Sequence, residues 1–432
     1  MPASYIPYEP DQDFLLPPSL KEWLPEGHLA YFVCDAIDSL DLSAFHARYA
    51  AGGPRNQPFD PAMMVKVLVY GYATGVFSSR KIARKLHEDV AFRVLAAGNS
   101  PAHRTLSDFR AFHLKELSEL FVQVVRLARE MGLVKLGTIA VDGTKVKANA
   151  SRHKAMSYGH MIKAEAELKA QIAALLNRAK AADQAEKSEP ELDIPAEIAR
   201  RQDRLEAIQQ ARQRLEQRQR EAELARGRDP DDKPRGGRYK REFGVPEDKA
   251  QENFTDGDSR IMKRSGGGFD ASYNAQTAVD ESNHIIVAAE LTNSGSDAAE
   301  LPKLLQAVKN NLGKAPQQVL ADTGYRSEAV FEQLAGGPTE VVVSVGREGK
   351  QPLHFHADRN PHTAAMVAKL QSSPGKAAYR KRKWIAEPPN GWIKSVLGFR
   401  QFSLRGLHRV QAEWKLVCMA LNLRRMRSLQ LP

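Results

Sequence analysis

Three acidic residues stand where carboxylates from separate segments can meet. Asp142 closes a short β-branched run, Asp322 closes a second one, and Glu387 lies in a basic helical segment. Grouped carboxylates repel one another unless a cation lies between them, and Mg²⁺ or Mn²⁺ prefers such hard oxygen ligands. Two such ions about 3.5–4 Å apart can activate an attacking hydroxyl and stabilise the leaving oxygen at a phosphodiester. We therefore predict that these residues are catalytic, hold two metal ions and cleave a nucleic acid backbone.

Basic residues surround the third carboxylate. Six residues separate Glu387 from Lys394, which is a spacing of two helical turns and places both on one helix face. The ammonium can hold a phosphate while the carboxylate binds metal; the alternative is an exposed ionic helix face. Further cations follow nearby at Arg380–Lys383, Arg400 and Arg405. Phosphate contacts by these residues would make DNA binding strongly dependent on salt.

The composition of the whole chain fits a nucleic acid partner. Its 432 residues predict two or three domains, and its net charge of +11 favours a polyanion without specifying fold or reaction. Cys34 and Cys418, the two cysteines, are far apart and argue against a disulfide framework or a zinc finger. No apolar segment approaches the roughly 18–20 residues that cross a bilayer. We expect a cytoplasmic protein without a membrane partner, associated with the nucleoid when bound to DNA.

The first 136 residues predict a helical region. Asp60-Pro61 is a typical helix start, Ser79 can cap the next helix, and Thr105–Asp108 resembles a capping box. Short helices with basic faces near Arg104 and Arg110 suggest a DNA reader related to the helix-turn-helix. An amphipathic bundle with a solvated basic side is the alternative. We predict residues 1–136 as a DNA-binding domain.

Residues 161–247 predict a helical insertion. Leu168, Ile172 and Leu175, and later Ile208 and Leu215, repeat with heptad-like spacing in charged, alanine-rich sequence. An antiparallel helical hairpin or short coiled coil, followed by a flexible basic linker over 227–247, fits this pattern. The hairpin is either an arm for dimer assembly or a spacer.

The remaining segments, 137–160 and 248–432, alternate strand and helix patterns. Without the insertion their order is strand, strand, strand, helix, strand, helix, strand and terminal helices, which is the order of an RNase H-like mixed sheet. The first and fourth strands are neighbours in such a sheet, so Asp142 and Asp322 would lie side by side. We therefore predict an α/β protein with an RNase H-like catalytic domain, an N-terminal all-α domain and an inserted helical hairpin.

Two motifs make the resemblance specific. Residues 140–145 (AVDGTK) and 320–325 (LADTGY) resemble the two aspartate motifs of bacterial DDE insertion-sequence transposases. Three further blocks are similar to segments of one transposase subgroup, as are two segments near the N-terminus: residues 253–260, 273–276, 398–406, 16–20 and 22–25. The resemblance thus extends over nearly the whole chain, and the helical insertion is its least specific part.

The third motif resembles the tyrosine-arginine-glutamate-lysine signature of the same family. Glu387 and Lys394 reproduce its glutamate–lysine spacing, and Tyr379 and Arg382 fit its tyrosine–arginine part. Four residues rather than three separate Arg382 from Glu387, so either Arg382 or Lys383 can take the arginine position. The resemblance implies that these residues contact DNA.

The resemblance implies a DDE transposase that binds the terminal inverted repeats of its element. Such an enzyme hydrolyses DNA at the ends and uses the freed 3′-hydroxyl to attack target DNA. Its partners would be double-stranded DNA and, in the DNA complex, a second copy of the chain. Two alternatives stay open: a DNA-binding protein descended from a transposase but without catalysis, and an RNase H-like nuclease or resolvase that cuts without strand transfer.

Overall fold

A computed structural model describes residues 19–49, 58–151, 154–184, 194–232, 234, 239–263, 267–346 and 356–430. The predicted segment 16–18 and three linker cations, Lys233, Arg235 and Arg238, lie outside these residues.

The N-terminal region is helical, as predicted. Its helices are α1 (Leu29–Asp38), α2 (Ser43–Ala47), α3 (Pro61–Ala73), α4 (Ser79–Glu88), α5 (Val90–Leu95), α6 (His103–Phe112) and α7 (Leu114–Glu130). The start of α3 is confirmed, because the Asp60 side chain accepts a hydrogen bond from Met63 N and Pro61 occupies the first helical position. The capping box predicted at Thr105–Asp108 is wrong: α6 begins at His103, and Asp108 pairs instead with Arg104 one turn earlier, at 3.8 Å.

The insertion forms two long helices after the first strand. The elements of this part of the chain are β1 (Thr138–Lys147), β2 (Ala155–Ser157), α8 (Tyr158–Gln184), α9 (Ile194–Ala225) and β3 (Gln251–Asn253), of which α8 and α9 form the insertion. We call α8 and α9 the arm. Their predicted apolar positions Leu168, Ile208 and Leu215 are buried in a small cluster of their own near the base of the arm.

The basic linker after the arm is not wholly flexible. Arg228 is 4% exposed, its guanidinium lies 2.9 Å from the Glu223 carboxylate, and it stacks over the Tyr239 ring at 4.2 Å. This cation is satisfied inside the protein and is not part of a DNA-facing surface.

The second half of the chain completes the sheet and its covering helices. The elements are β4 (Arg260–Lys263), β5 (Phe269–Asp280), β6 (Ile286–Thr292), α10 (Leu301–Leu312), β7 (Gln318–Ala321), α11 (Glu328–Leu334), β8 (Glu340–Val343), α12 (Pro361–Gln371), α13 (Ser373–Arg380), α14 (Arg382–Gly391) and α15 (Leu407–Gln430). A π-helical turn, Trp392–Val396, continues α14.

The sheet has the RNase H-like arrangement. Its strand order is β4-β5-β1-β7-β8. β6 also belongs to this sheet, and β4 and β6 pair with different parts of the same edge of β5. β1, β7 and β8 are parallel, whereas β5 runs antiparallel to β1, β4 and β6. The predicted fold class is confirmed: an RNase H-like mixed sheet follows an N-terminal helical region.

One apolar core connects the N-terminal helices to the sheet. α15 packs against α3 and α7 on one side and against β6 on the other, and residues from all of these elements belong to a single buried cluster. The boundary between a domain of residues 1–136 and the catalytic region remains a prediction, because the described apolar core is continuous across it. Within the described ranges, no helix combines the length and apolar character needed to span a bilayer.

Candidate active site

Pairing of β1 with β7 brings the two predicted aspartates together. Ala140 pairs with Leu320, and each aspartate lies two residues further along its strand, so both point to the same side of the sheet. Asp322 follows the end of β7, as predicted. Asp142 does not end β1, contrary to prediction, because β1 continues to Lys147 along the long partner strand β5.

The environment of Asp142 disfavours its charged form. Burial, and then the neighbouring Asp322 carboxylate, raise the pKa of Asp142 to about 6. The Arg382 guanidinium and a hydrogen bond from Asn390 oppose this shift. Asn390 Nδ2 donates this bond to Asp142 Oδ2 over 2.9 Å. A buried carboxylate with a second one beside it forms a site that a divalent cation would stabilise.

Glu387 lies on α14, one turn before Asn390, which contacts Asp142. Its side chain is 58% exposed, and its Oε1 lies 3.9 Å from Arg382 Nη2. Among the residues that the structure describes, no three His, Cys, Asp or Glu side chains form a set that could hold a metal ion. The sheet therefore brings Asp142 and Asp322 together, while Glu387 is directed towards Arg382 rather than into their cluster.

The donor groups at the two aspartates fit a hard cation. Both supply carboxylate oxygens, which Mg²⁺ prefers. Asn390 is 7% exposed, and its Oδ1 has no hydrogen-bond partner among the described residues, so this buried oxygen is also an acceptor without a donor. A cation at Asp142 would relieve the repulsion between the carboxylates and would give Asn390 Oδ1 a partner.

Lys394 is half-buried in the π-helical turn beside the site. Its Nζ donates to the backbone carbonyl of Lys145 on β1 over 3.1 Å. Desolvation lowers the pKa of Lys394, and the Asp142 carboxylate acts in the opposite direction. The ammonium thus lies within electrostatic range of Asp142, on the side of α14 that faces the sheet.

A third aspartate, which the sequence pattern did not indicate, lies next to the pair. Asp297 Oδ1 accepts hydrogen bonds from Lys145 Nζ at 3.2 Å, Asn274 Nδ2 at 2.5 Å and Gln276 Nε2 at 2.7 Å. Its carboxylate also contributes to the raised pKa of Asp142. Two of these donors belong to residues 273–276, the block that resembles a segment of one transposase subgroup, and this resemblance is the sequence signal that points to the surroundings of Asp297.

Two glycines allow this close approach. A Cβ at residue 143 would lie 2.5 Å from Gln276 Nε2 and 2.6 Å from Asp297 Oδ1. A Cβ at residue 324 would lie 3.0 Å from Asp322 Oδ1 and 3.1 Å from Asp297 Oδ2. Gly143, directly after Asp142, and Gly324, two residues after Asp322, therefore leave space for the Asp297 carboxylate between the two motifs.

Two of the predicted DNA-binding residues are internal, which corrects the prediction. Arg110 is 5% exposed; its Nη1 donates to Tyr72 Oη at 2.6 Å and lies 3.9 Å from the Glu413 carboxylate. Arg382 is 8% exposed and lies beside Asp142 and Glu387. Neither guanidinium is free to bind a DNA phosphate on the surface, because each compensates carboxylates within the protein.

The other predicted DNA contacts remain accessible. Arg104, Lys383, Arg400 and Arg405 are exposed, and Tyr379 is half-buried against the core. Arg400 Nε donates to the carbonyl of Lys394 at 3.2 Å, which places this cation beside the lysine of the signature.

Comparisons with known proteins match two regions of the chain to transposase families. Residues 243–423 match a family described as transposase DDE domain, and residues 18–111 match a family described as transposase domain (DUF772). No curated protein and no solved structure matches the chain. The first match covers β5 to β7 and α14, and the second covers the helices α1 to α5 and most of α6. The chain belongs to the DDE transposases of insertion sequences.

Proposed function

We propose that this transposase binds the terminal inverted repeats of its element, cleaves DNA there and joins the freed 3′ ends to target DNA. The observation that carries the proposal is the β1–β7 register, which makes Asp142 and Asp322 neighbours. We further propose that the enzyme acts in the bacterial cytoplasm, as a homodimer on DNA.

The proposed metal ligands are Asp142, Asp322 and Glu387. Two Mg²⁺ or Mn²⁺ ions held there would supply charge neutralisation at the attacking and leaving oxygens of a phosphodiester. Glu387 would have to turn away from Arg382 to join the two aspartates as the third ligand. Asn390 holds Asp142 in its orientation by its hydrogen bond.

Lys394 is proposed to hold a phosphate at the site. Its ammonium is near enough to Asp142 to affect the pKa of Lys394, and it lies beside Arg400. Arg104, Tyr379, Lys383, Arg400 and Arg405 are the proposed DNA-binding residues on the surface. Phosphate contacts of this kind position DNA without reading its sequence.

Single carboxylate substitutions test the catalytic assignment. Asp142→Asn, Asp322→Asn and Glu387→Gln should each lower nicking of an end-bearing duplex by at least about 100-fold in Mg²⁺, because each removes a charged ligand. DNA affinity, measured by gel shift, should stay within about threefold of wild type. Asp203→Asn, at an exposed position on the arm, is the matched control and should cleave normally.

The same assay separates the alternatives. Normal cleavage by one variant removes that residue from the proposed set. Binding without cleavage by the wild-type protein would favour a transposase-derived DNA-binding protein, and cleavage without joined products would favour a nuclease or resolvase.

A further inference from the structure

The turn between β5 and β6 contacts the start of α14 in two places. Glu281 Oε1 lies 2.8 Å from Nζ of Lys381, the residue before α14. His284 Nε2 lies 2.9 Å from the backbone carbonyl oxygen of Trp384, and the two rings meet edge to face with centroids 5.0 Å apart. This turn therefore contacts the helix just before Glu387.

The Trp384 carbonyl needs an external donor because of the sequence that follows Glu387. In an α-helix, this oxygen would accept a hydrogen bond from the backbone N–H of residue 388. Residue 388 is proline, as is residue 389, and proline has no N–H to donate. The imidazole of His284 replaces the missing donor. A carbonyl oxygen can only accept, so His284 Nε2 carries the proton of this bond.

The backbone of His284 restricts which residues fit there. Its φ is 57°, in the left-handed region, and its N–H donates to the Asp280 carbonyl at 3.1 Å. Histidine is among the few residues that are enriched in this conformation. Histidine at residue 284 thus tolerates the left-handed backbone and has a side chain long enough to reach α14.

The proline pair of α14 borders open space on one side. Ile385 and Pro389, one turn apart on the same face of the helix, are buried, whereas Pro388 is exposed. Both prolines line a cavity of about 700 Å³, together with His284 and Trp392. The His284 hydrogen bond therefore joins α14 to the β5–β6 turn where the helix is only partly packed.

We propose that His284 is a positioning residue for Glu387. By donating to the carbonyl that Pro388 leaves without a helical donor, it fixes the turn of α14 that carries Glu387. The assignment of Glu387 as a ligand rests on the proposed function; the contact between His284 and α14 does not.

Two substitutions separate the hydrogen bond from the ring contact. His284→Phe keeps a ring against Trp384 but removes the donor, whereas His284→Gln keeps a donor of similar reach and removes the ring. Phenylalanine and glutamine would both have to adopt the left-handed backbone of residue 284, so backbone strain should affect the two variants alike. Hydrogen exchange of the peptide 382–391 reports on α14 directly, and single-turnover nicking of an end-bearing duplex reports on Glu387.

We expect His284→Phe to exchange faster in peptide 382–391 and to nick about tenfold more slowly, with unchanged DNA affinity and melting temperature. His284→Gln should restore both readouts to within about twofold of wild type. Wild-type exchange in His284→Phe overturns the proposal, as does equal impairment of both variants. If wild-type protein nicks no DNA, the proposed function fails, and the exchange data still decide whether His284 holds α14.

Discussion

At the scale of single residues, the charge of Asp142 connects folding to the candidate chemistry. Its pKa of about 6 lies above the value of roughly 3.9 for an aspartate in an unfolded chain. At pH values between these two, the native state therefore binds the proton of Asp142 more tightly than the unfolded state does. Stability conferred by the protonated form is present at low pH and is lost as pH rises through about 6.

This shift predicts that Asp142→Asn stabilises the metal-free protein at pH 7.5, by about 1–3 kcal/mol. Asparagine carries no charge to bury and still offers Asn390 an acceptor. The gain should disappear at about pH 3, where Asp142 is protonated in both states. Urea unfolding in EDTA at both pH values measures it, with Asp203→Asn as the control. An equal difference at both pH values would contradict the assignment.

Asp297 allows a second prediction at this scale. Asp297→Ala leaves the buried Gln276 Nε2 without its acceptor and leaves Asn274 Nδ2 only the Ser294 carbonyl, and it should lower stability by about 1–3 kcal/mol. Asp297→Asn keeps an oxygen there and should cost less. Both should slow nicking, because Lys145 loses its counter-charge beside Asp142. Ser296→Ala, one residue earlier and exposed, should change neither urea unfolding nor nicking.

At the scale of elements, the arm has a core separate from that of the sheet. Replacing residues 172–201 by a short Gly-Ser linker removes its outer part and keeps Leu168 and Ile208, which form its base. The melting temperature of the remaining protein should therefore stay within a few degrees of wild type. Paired-end complexes on native gels then distinguish the two roles: their loss indicates an assembly arm, and their persistence indicates a spacer.

The order along the chain of β1, β5, β6, β7 and β8 was predictable because short β-branched runs alternate with turn residues, whereas the short strands β2, β3 and β4 were not predicted. The length of β1 was not predictable. The pattern stops at Gly143, but pairing with β5 extends the strand to Lys147. Only the folded sheet explains that glycine, since a side chain there would collide with Gln276 and Asp297.

The burial of charged groups was also not predictable, because it depends on partners that are distant in the sequence. Arg110 has the sequence context of a surface cation, and the Glu413 carboxylate that retains it inside belongs to the last helix. Asp297 lies in a loop with no recognisable motif, so nothing local distinguishes it from an ordinary turn residue. Asp142, Asp322 and Glu387 could be proposed from the sequence because each belongs to a motif that resembles one of the transposase family.

At the scale of the whole molecule, a buried polar network connects the two ends of the chain. Tyr72 Oη accepts from Arg110 and donates to Glu413 Oε1 at 3.0 Å. The other Glu413 oxygen accepts from the backbone N–H groups of Ser403 at 3.0 Å and Leu404 at 2.9 Å. The network thus joins α3 and α6 to α15 and to the loop that precedes it.

Arg110→Ala should destabilise the whole protein by about 3 kcal/mol or more, because it leaves the Glu413 carboxylate buried without its cation. Arg104→Ala, on the exposed face of the same helix, should change stability by less than about 0.5 kcal/mol. Denaturant unfolding followed by circular dichroism measures both. A loss of DNA affinity without destabilisation in Arg110→Ala would instead restore its role as a DNA contact.

The position of α15 has a consequence for how the protein is made. This helix comprises residues Leu407–Gln430, and both the N-terminal helices and β6 pack against it. A growing chain on the ribosome lacks the surface that joins its first helices to its sheet until residues 407–430 have emerged. Chains that stop before α15 would leave this apolar surface exposed and prone to aggregation. The N-terminal helices and the sheet with its two aspartates therefore reach their joint packing only after α15 has been translated.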